Sequence, residues 1–138
     1  MILCASAPLR EIFLILTALL FCAGCSARNA PKTAPVKGTI TFAGQPLPNV
    51  GVTFLPEGKG PSASGNTNDK GEFTLRTSRP GDGAVIGTHK VTIGSAEEGP
   101  RKRGAPSIPD KYGSPATTDL AAEVKPGQTN VFTFDLKP

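Results

Sequence analysis

Short runs of alternating apolar and polar residues, separated by Gly and Pro, most limit what this chain can fold into. Side chains in a strand point to opposite faces in turn, so such a run predicts a strand with one buried face. In Val36–Phe42 the apolar Val36, Ile40 and Phe42 share one face, and Lys37, Thr39 and Thr41 share the other. The chain has 16 Gly and 14 Pro among 138 residues, which favours many turns. We therefore expect an all-β fold.

Further strand-like runs follow along the chain. They are Val50–Pro56, Ala63–Asn66, Glu72–Thr77, Val85–Ile93, Leu120–Val124 and a last run containing Phe132, Phe134 and Leu136. No convincing helix pattern follows Gly24. About seven short strands with turn signals between them predict a single antiparallel seven-stranded β-sandwich of the immunoglobulin-like kind.

Two connections are informative. Asn68–Gly71 predicts a hairpin turn, in which the Asp69 side chain bonds the backbone two residues on and Gly71 accepts a positive φ. Ser95–Thr117 is long, charged and rich in Pro. Loops of this length are uncommon in compact domains and are typical of function or of disorder.

The amino-terminal segment has the pattern of a secretory signal. Ile12–Gly24 is an apolar run of 13 residues, whereas a spanning helix needs roughly 20. The run follows Arg10 and ends in small residues, as a signal peptide does. We assign residues 1–24 to a signal peptide, 25–35 to a modified cysteine and tether, and 36–138 to the β-domain.

All three cysteines, Cys4, Cys22 and Cys25, lie in the first 25 residues. The segment Cys22-Ala23-Gly24-Cys25 resembles the lipobox of bacterial lipoproteins, with Cys22 where Leu is usual. The resemblance implies that Cys25 receives a diacylglycerol, becomes the new amino terminus and is acylated, for example with palmitate. The alternatives are an ordinary cleaved signal and an uncleaved single-span anchor.

The strands also carry a resemblance. Its segments are Val36-Lys37-Gly38-Thr39-Ile40, Gly44-Gln45-Pro46-Leu47-Pro48-Asn49-Val50, Thr67-Asn68-Asp69-Lys70-Gly71-Glu72-Phe73 and Gly87-Thr88-His89-Lys90-Val91-Thr92-Ile93. In this order they resemble carboxypeptidase regulatory-like domains. The resemblance implies a transthyretin-like, also called prealbumin-like, β-sandwich. It implies a fold more than an activity.

Charge argues against a nucleic-acid partner. The formal net charge is +4, and the basic residues are scattered apart from Arg101-Lys102-Arg103. No basic stripe with interleaved aromatic residues is present, as nucleic-acid binding would favour. The basic triplet could contact an acidic partner or an anionic envelope polymer, or could simply be a solvated loop.

The usual catalytic and metal-binding patterns do not stand out. The chain has one histidine, His89, which shares strand parity with the apolar Val91 and Ile93 and is expected to fill a core position. Zinc sites use three or four His, Cys or carboxylate ligands. We therefore predict no catalytic residues, no metal and no cofactor.

Tyr112 is the one tyrosine, and there is no tryptophan. Because aromatic side chains commonly line ligand sites, Tyr112 is a candidate contact. Alternatively, Tyr112 and Ile108 pin the long loop to the sandwich.

These patterns predict a non-enzymatic, lipid-anchored protein of the cell membrane or outer membrane that faces the periplasm or exterior. Its β-sandwich would be a structural or interaction module with an unidentified envelope protein as partner, using the long loop and edge strands as contact surfaces. The alternative is a module that binds polysaccharide or cell-wall glycan.

Overall fold

The computed structural model describes residues 30–96 and 107–138. Within them the chain forms ten strands and a short 3-10 helix, Asp110–Gly113. The strands are β1 (Thr33–Ala34), β2 (Val36–Phe42), β3 (Gln45–Pro46), β4 (Val50–Pro56), β5 (Ala63–Asn66), β6 (Glu72–Thr74), β7 (Ala84–Val85), β8 (Gly87–Ser95), β9 (Ala121–Val124) and β10 (Asn130–Leu136). The prediction of an all-β fold is confirmed.

The longer strands lie where the alternation predicts them. β2, β4 and β5 have the predicted bounds, and β6 is shorter because it ends at Thr74. Beyond β6, Arg76 exchanges two backbone hydrogen bonds with Ser64 of β5, N–H to C=O at 2.9 Å in each direction. The chain thus passes from one sheet to the other at this point. The two-residue strands β1, β3 and β7 are too short to show a periodicity.

Two four-stranded sheets dominate the architecture. One has the order β10-β2-β3, with β6 also pairing to β2, and the other has the order β5-β4-β8-β9. β1 and β7 form a separate antiparallel pair.

β2 and β10 pair in parallel, with Val36 opposite Asn130 and Phe42 opposite Leu136. The prediction of an antiparallel sandwich is therefore wrong for this pair. Alternation of apolar and polar residues fixes which face of a strand is buried. The pattern is the same whether the strand runs parallel or antiparallel to its neighbour, so it does not predict the relative direction of the two strands. The separation of the two strands in sequence allows the crossover that parallel pairing requires.

The core lies between the two larger sheets and is centred on Phe54 of β4, which is fully buried. Three rings from the opposite sheet surround it, with centroids 6.4 Å (Phe73), 5.7 Å (Phe132) and 6.2 Å (Phe134) away. Tilted and edge-on arrangements at these separations are the favourable ones for aromatic pairs. Apolar faces of the two sheets thus meet in a sandwich-like core.

Gly38 makes room for this core. A Cβ at Gly38 would lie 2.1 Å from the carbonyl oxygen of Phe132 and 2.8 Å from the ring of Phe73. Phe73 is paired directly with Gly38 between β6 and β2. The ring therefore packs where a side chain would stand, which explains a glycine in a buried strand position.

The domain begins before Val36. The carbonyl of Lys32 accepts a hydrogen bond from Ile86, and Ala34 is buried against β7. Nearby Gly83 has φ +77°, and a Cβ there would lie 1.8 Å from the Ala34 carbonyl oxygen. The last residues of the predicted tether are thus part of the β fold.

Candidate interaction surface

Tyr112 lies in the 3-10 helix and points into the protein. Its side chain is only 2% exposed, and the neighbouring Ile108 is 9% exposed. The Tyr112 hydroxyl accepts a hydrogen bond from the Lys137 N–H at 3.1 Å and lies 3.5 Å from the Lys137 carbonyl oxygen. A ring buried this deeply does not offer a stacking face, so its placement favours the role of pinning the loop.

The residues after the 3-10 helix are held by side-chain hydrogen bonds. Thr117 Oγ1 donates to the Lys111 carbonyl at 2.8 Å, and Thr118 Oγ1 donates to the Val91 carbonyl of β8 at 2.7 Å. Lys111 lies 3.6 Å from the Asp119 carboxylate and 4.6 Å from the centre of the Tyr112 ring. The carboxyl-terminal part of the long loop, from residue 107 onward, is therefore ordered and bonded to the rest of the domain.

Two further predicted sites, Cys25 and the triplet Arg101-Lys102-Arg103, lie outside the described residues, as does the signal segment. Lipidation of Cys25 and contact with an acidic partner at the triplet stay predictions.

His89 occupies a core position, as its strand parity predicts. It is fully buried, and its ring centroid lies 5.7 Å from that of Phe54. Nε2 lies 2.6 Å from the Val85 carbonyl oxygen, which requires the proton to be on Nε2 as the donor. Nδ1 has no hydrogen-bond partner among the described residues. The ring thus acts as a core aromatic with one polar contact.

The hairpin turn before β6 differs from the prediction in its key residue. The side chain of Asn68, not Asp69, accepts the backbone hydrogen bonds, from Lys70 at 2.9 Å and from Glu72 at 3.0 Å. Gly71 has the predicted positive φ, +74°. Asn and Asp can both form this turn, so the residue types alone do not distinguish the two neighbours.

Two buried polar side chains hold turns and were not singled out by the sequence. Thr67 Oγ1 accepts from the Val50 N–H at 3.0 Å and donates to the Leu47 carbonyl at 2.8 Å. Asn130 accepts from the Lys125 N–H at 2.9 Å and donates to the Lys125 carbonyl at 3.0 Å. In the sequence each is a polar residue next to an apolar run. That pattern is equally typical of an exposed polar residue, so it does not predict burial.

The loop before β7 is organised by one carboxylate. Asp82 accepts hydrogen bonds from the backbone N–H groups of Thr77, Ser78 and Arg79, at 2.6, 2.9 and 2.9 Å. Desolvation raises the pKa of Asp82, but the three N–H donors and the positive charge of Arg79 outweigh it and lower the pKa below its ordinary value.

A surface depression of about 410 Å³ lies beside β7. Its lining residues are Pro56, Glu57, Gly58, Lys59, Val85, Ile86, Gly87 and Thr88. Glu57 and Lys59 are its only charged lining residues.

Among residues 30–96 and 107–138, no group of three or more His, Cys, Asp or Glu side chains could hold a metal ion. No helix in these residues is long and apolar enough to cross a membrane.

β10 combines an edge position with an exposed apolar side chain. Within residues 30–96 and 107–138 it is the end strand of its sheet, and β2 is its one neighbour. Val131, in this strand, is 64% exposed and is the one large apolar side chain that is exposed among the described residues. The side chains of Thr133 and Asp135, on the same outer face, are also exposed. We call Val131, Thr133 and Asp135 the β10 edge.

Comparison of the chain with protein-family models, curated proteins and solved structures found no match.

Proposed function

We propose that this chain is a non-enzymatic, lipid-anchored protein of the cell envelope whose β-domain is a structural or interaction module. The observation that carries the proposal is the segment Cys22-Ala23-Gly24-Cys25 at the end of an apolar run of 13 residues. The β-domain follows within a few residues and contains no cysteine. Cys25 is therefore the mature chain's only thiol, and acylation gives it a use.

The fold supports the second part of the proposal. We assign the domain to the carboxypeptidase regulatory-like family, with its transthyretin-like, immunoglobulin-like sandwich built from the seven longer strands. The segments that carry the resemblance fall on β2 to β4, on the turn into β6, and on β8. Gly38 and Phe73 of these segments pack together in the core. Their roles are structural, as expected of a module that binds through its surface.

The anchor would hold the domain close to the membrane. Six residues, 26–31, separate Cys25 from Lys32, where backbone pairing to the domain begins. Fully extended, they reach at most about 22 Å. Two or more acyl chains give stable attachment, whereas one chain is marginal. The module would therefore act next to the lipid surface.

Mass spectrometry of the chain from the membrane fraction tests the anchor. We expect an amino-terminal Cys25 carrying diacylglycerol and a further acyl chain. Cys25→Ser should abolish the modification and move the protein to the soluble fraction or leave the signal uncleaved.

Cys22→Leu is the matched control, because it changes a neighbouring cysteine and restores the usual lipobox residue. It should be lipidated at least as completely as the wild type. An unmodified Cys25 in the wild-type protein would refute the anchor. Unchanged membrane partition of a Cys25→Ser chain whose signal has been cleaved would also refute it.

A further inference from the structure

The backbone of β10 is paired on one side, and no strand among the described residues pairs with its other side. The Asn130 N–H donates to the Pro35 carbonyl at 2.8 Å, and the Leu136 carbonyl accepts from Ala43 at 2.9 Å. Both ends of the strand therefore use even-numbered residues to bond the residues that flank β2. Backbone groups of successive strand residues point to opposite sides. The N–H and C=O groups of Val131, Thr133 and Asp135 thus point away from β2.

This free side is bounded at its carboxyl end. The next odd-numbered residue, Lys137, directs its N–H and C=O at the Tyr112 hydroxyl. At the other end, Asn130 closes the turn from β9 with its side chain. Between these limits no hydrogen bond to the backbone of the β10 edge is found within the described part of the chain. An exposed strand edge of this kind is a template for another strand.

We propose that the β10 edge pairs antiparallel with the same edge of a second copy of this chain. Three consecutive free positions are symmetric about Thr133, so a two-fold axis there sets Thr133 opposite Thr133 and Val131 opposite Asp135 of the second copy. In this register both backbone groups of all three residues find a partner, as in the hydrogen-bonded pairs of an antiparallel ladder. In the pair, every backbone N–H and C=O group of Val131, Thr133 and Asp135 therefore has a hydrogen-bond partner in the second copy.

The side chains of the outer face agree with this register. Lys37 lies beside Val131, and Thr39 lies beside Thr133. In the pair, threonines would meet at the axis, which is a favourable cross-strand contact. Lys37 would lie in one row with Asp135 of the second copy, with Val131 between them. Its aliphatic stem can cover Val131 while its ammonium approaches the carboxylate.

Both charges are available for this contact. Within the described residues Lys37 forms no salt bridge. The Asp135 carboxylate uses Oδ1 for Thr41 at 2.7 Å and for the Gly44 N–H at 3.1 Å, which leaves Oδ2 free of hydrogen bonds in this part of the chain. The Thr41 hydroxyl, the Gly44 N–H and the positive charge of Lys137 lower the pKa of Asp135, so it stays ionised at neutral pH.

The pairing names the partner of the interaction module and so rests on the proposed function. Three ladder positions make a small interface, below the area of a stable dimer in dilute solution. Confinement of anchored copies to one surface would raise their effective concentration. The pair should therefore form best in membranes.

Cysteine cross-linking of the full chain in membranes tests the register. Paired Cα atoms in a hydrogen-bonded antiparallel pair are about 5.5 Å apart, which suits a disulfide. We expect Thr133→Cys to form a disulfide-linked homodimer under mild oxidation. Val131→Cys alone should not, because its two copies would be offset by about 13 Å along the strand. Val131→Cys and Asp135→Cys expressed together should cross-link.

A second variant removes the pairing without a cysteine. Thr133→Pro deletes an edge N–H that has no hydrogen-bond partner among the described residues, and Pro is tolerated at such an edge position. It should remove the dimer captured by an amine cross-linker in membranes while retaining the far-UV spectrum. Ala121→Pro is the control on the β9 edge and should leave the dimer intact.

Equal cross-linking at all three positions, cross-linking to a different protein alone, or no cross-linking at Thr133→Cys would overturn the pairing. Lipidation of Cys25, measured on the same samples, is independent of these outcomes. Absence of the Thr133→Cys dimer from samples in which Cys25 is acylated would refute the pairing and leave the anchor standing. If Cys25 is found unacylated and Thr133→Cys still forms homodimers when Cys25 is also replaced by Ser, the anchor is refuted and the pairing stands.

Discussion

Replacement of Thr67 by Val isolates the contribution of one buried hydroxyl. The two side chains have nearly the same volume, so the change creates no large cavity. It removes the acceptor of the Val50 N–H and the donor to the Leu47 carbonyl, at 3.0 and 2.8 Å. Val50 and Leu47 are 5% and 1% exposed, so water does not readily replace the hydroxyl.

The expected loss follows from these two unpaired groups. Leaving a buried donor or acceptor unsatisfied costs about 1–3 kcal/mol. Some relaxation of the turn reduces the sum, and we expect Thr67→Val to lower the free energy of unfolding by about 3 kcal/mol. With an m-value of about 1.5 kcal/mol/M in urea, the midpoint should fall by about 2 M.

Urea unfolding followed by far-UV circular dichroism measures this shift. Thr53→Val is the matched control, because Thr53 lies on the partly exposed outer side of β4. None of the side-chain hydrogen bonds described above involves Thr53, and Val suits a strand, so stability should change by less than about 0.5 kcal/mol. A midpoint for Thr67→Val within 0.3 M (roughly 0.5 kcal/mol) of the wild type would refute the reasoning. Equal destabilisation by the control would do so as well.

Two further predictions concern the loops. Wild type should be more stable than Asp82→Ala at neutral pH, because the pKa of Asp82 is lowered in the folded state. This difference in stability should shrink as the pH falls below 3.8, the ordinary carboxyl value. Thermal melts across about pH 2–6 measure the difference, and a difference that does not change with pH would contradict the prediction. Tyr112→Phe should lower the free energy of unfolding by about 1 kcal/mol and speed hydrogen exchange at the Lys137 amide. It should leave any retention of the protein on a polysaccharide column unchanged, whereas weaker retention would support Tyr112 as a glycan contact.

Strand positions were predictable because burial imposes a period of two on the residues. β2, β4 and β5 lie within the bounds that this period indicates, and His89 is buried as its parity requires. The direction of β10 was not predictable from the same signal. A strand with Phe132 and Phe134 on one face fits a parallel or an antiparallel neighbour equally well.

The sites were less predictable than the strands, because the type of a polar residue does not show whether its side chain is exposed or buried. Tyr112 could have been a ligand contact, and only its depth and its hydrogen bond to Lys137 favour a structural role. Asn68 and Asp69 are chemically similar, and the path of the backbone decides which one closes the turn.

The sequence by itself determined the all-β class of the domain, because alternation and frequent turns after Gly24 leave no room for a long helix in residues 30–96 and 107–138. It also defined Cys25 as the one cysteine with an expected chemistry, through the short apolar run before it. Only the tertiary structure decided that β2 and β10 are parallel, that Tyr112 is buried, and that no other strand of the described residues covers the β10 edge. Each of these depends on contacts between residues far apart in the chain, which a local pattern does not encode.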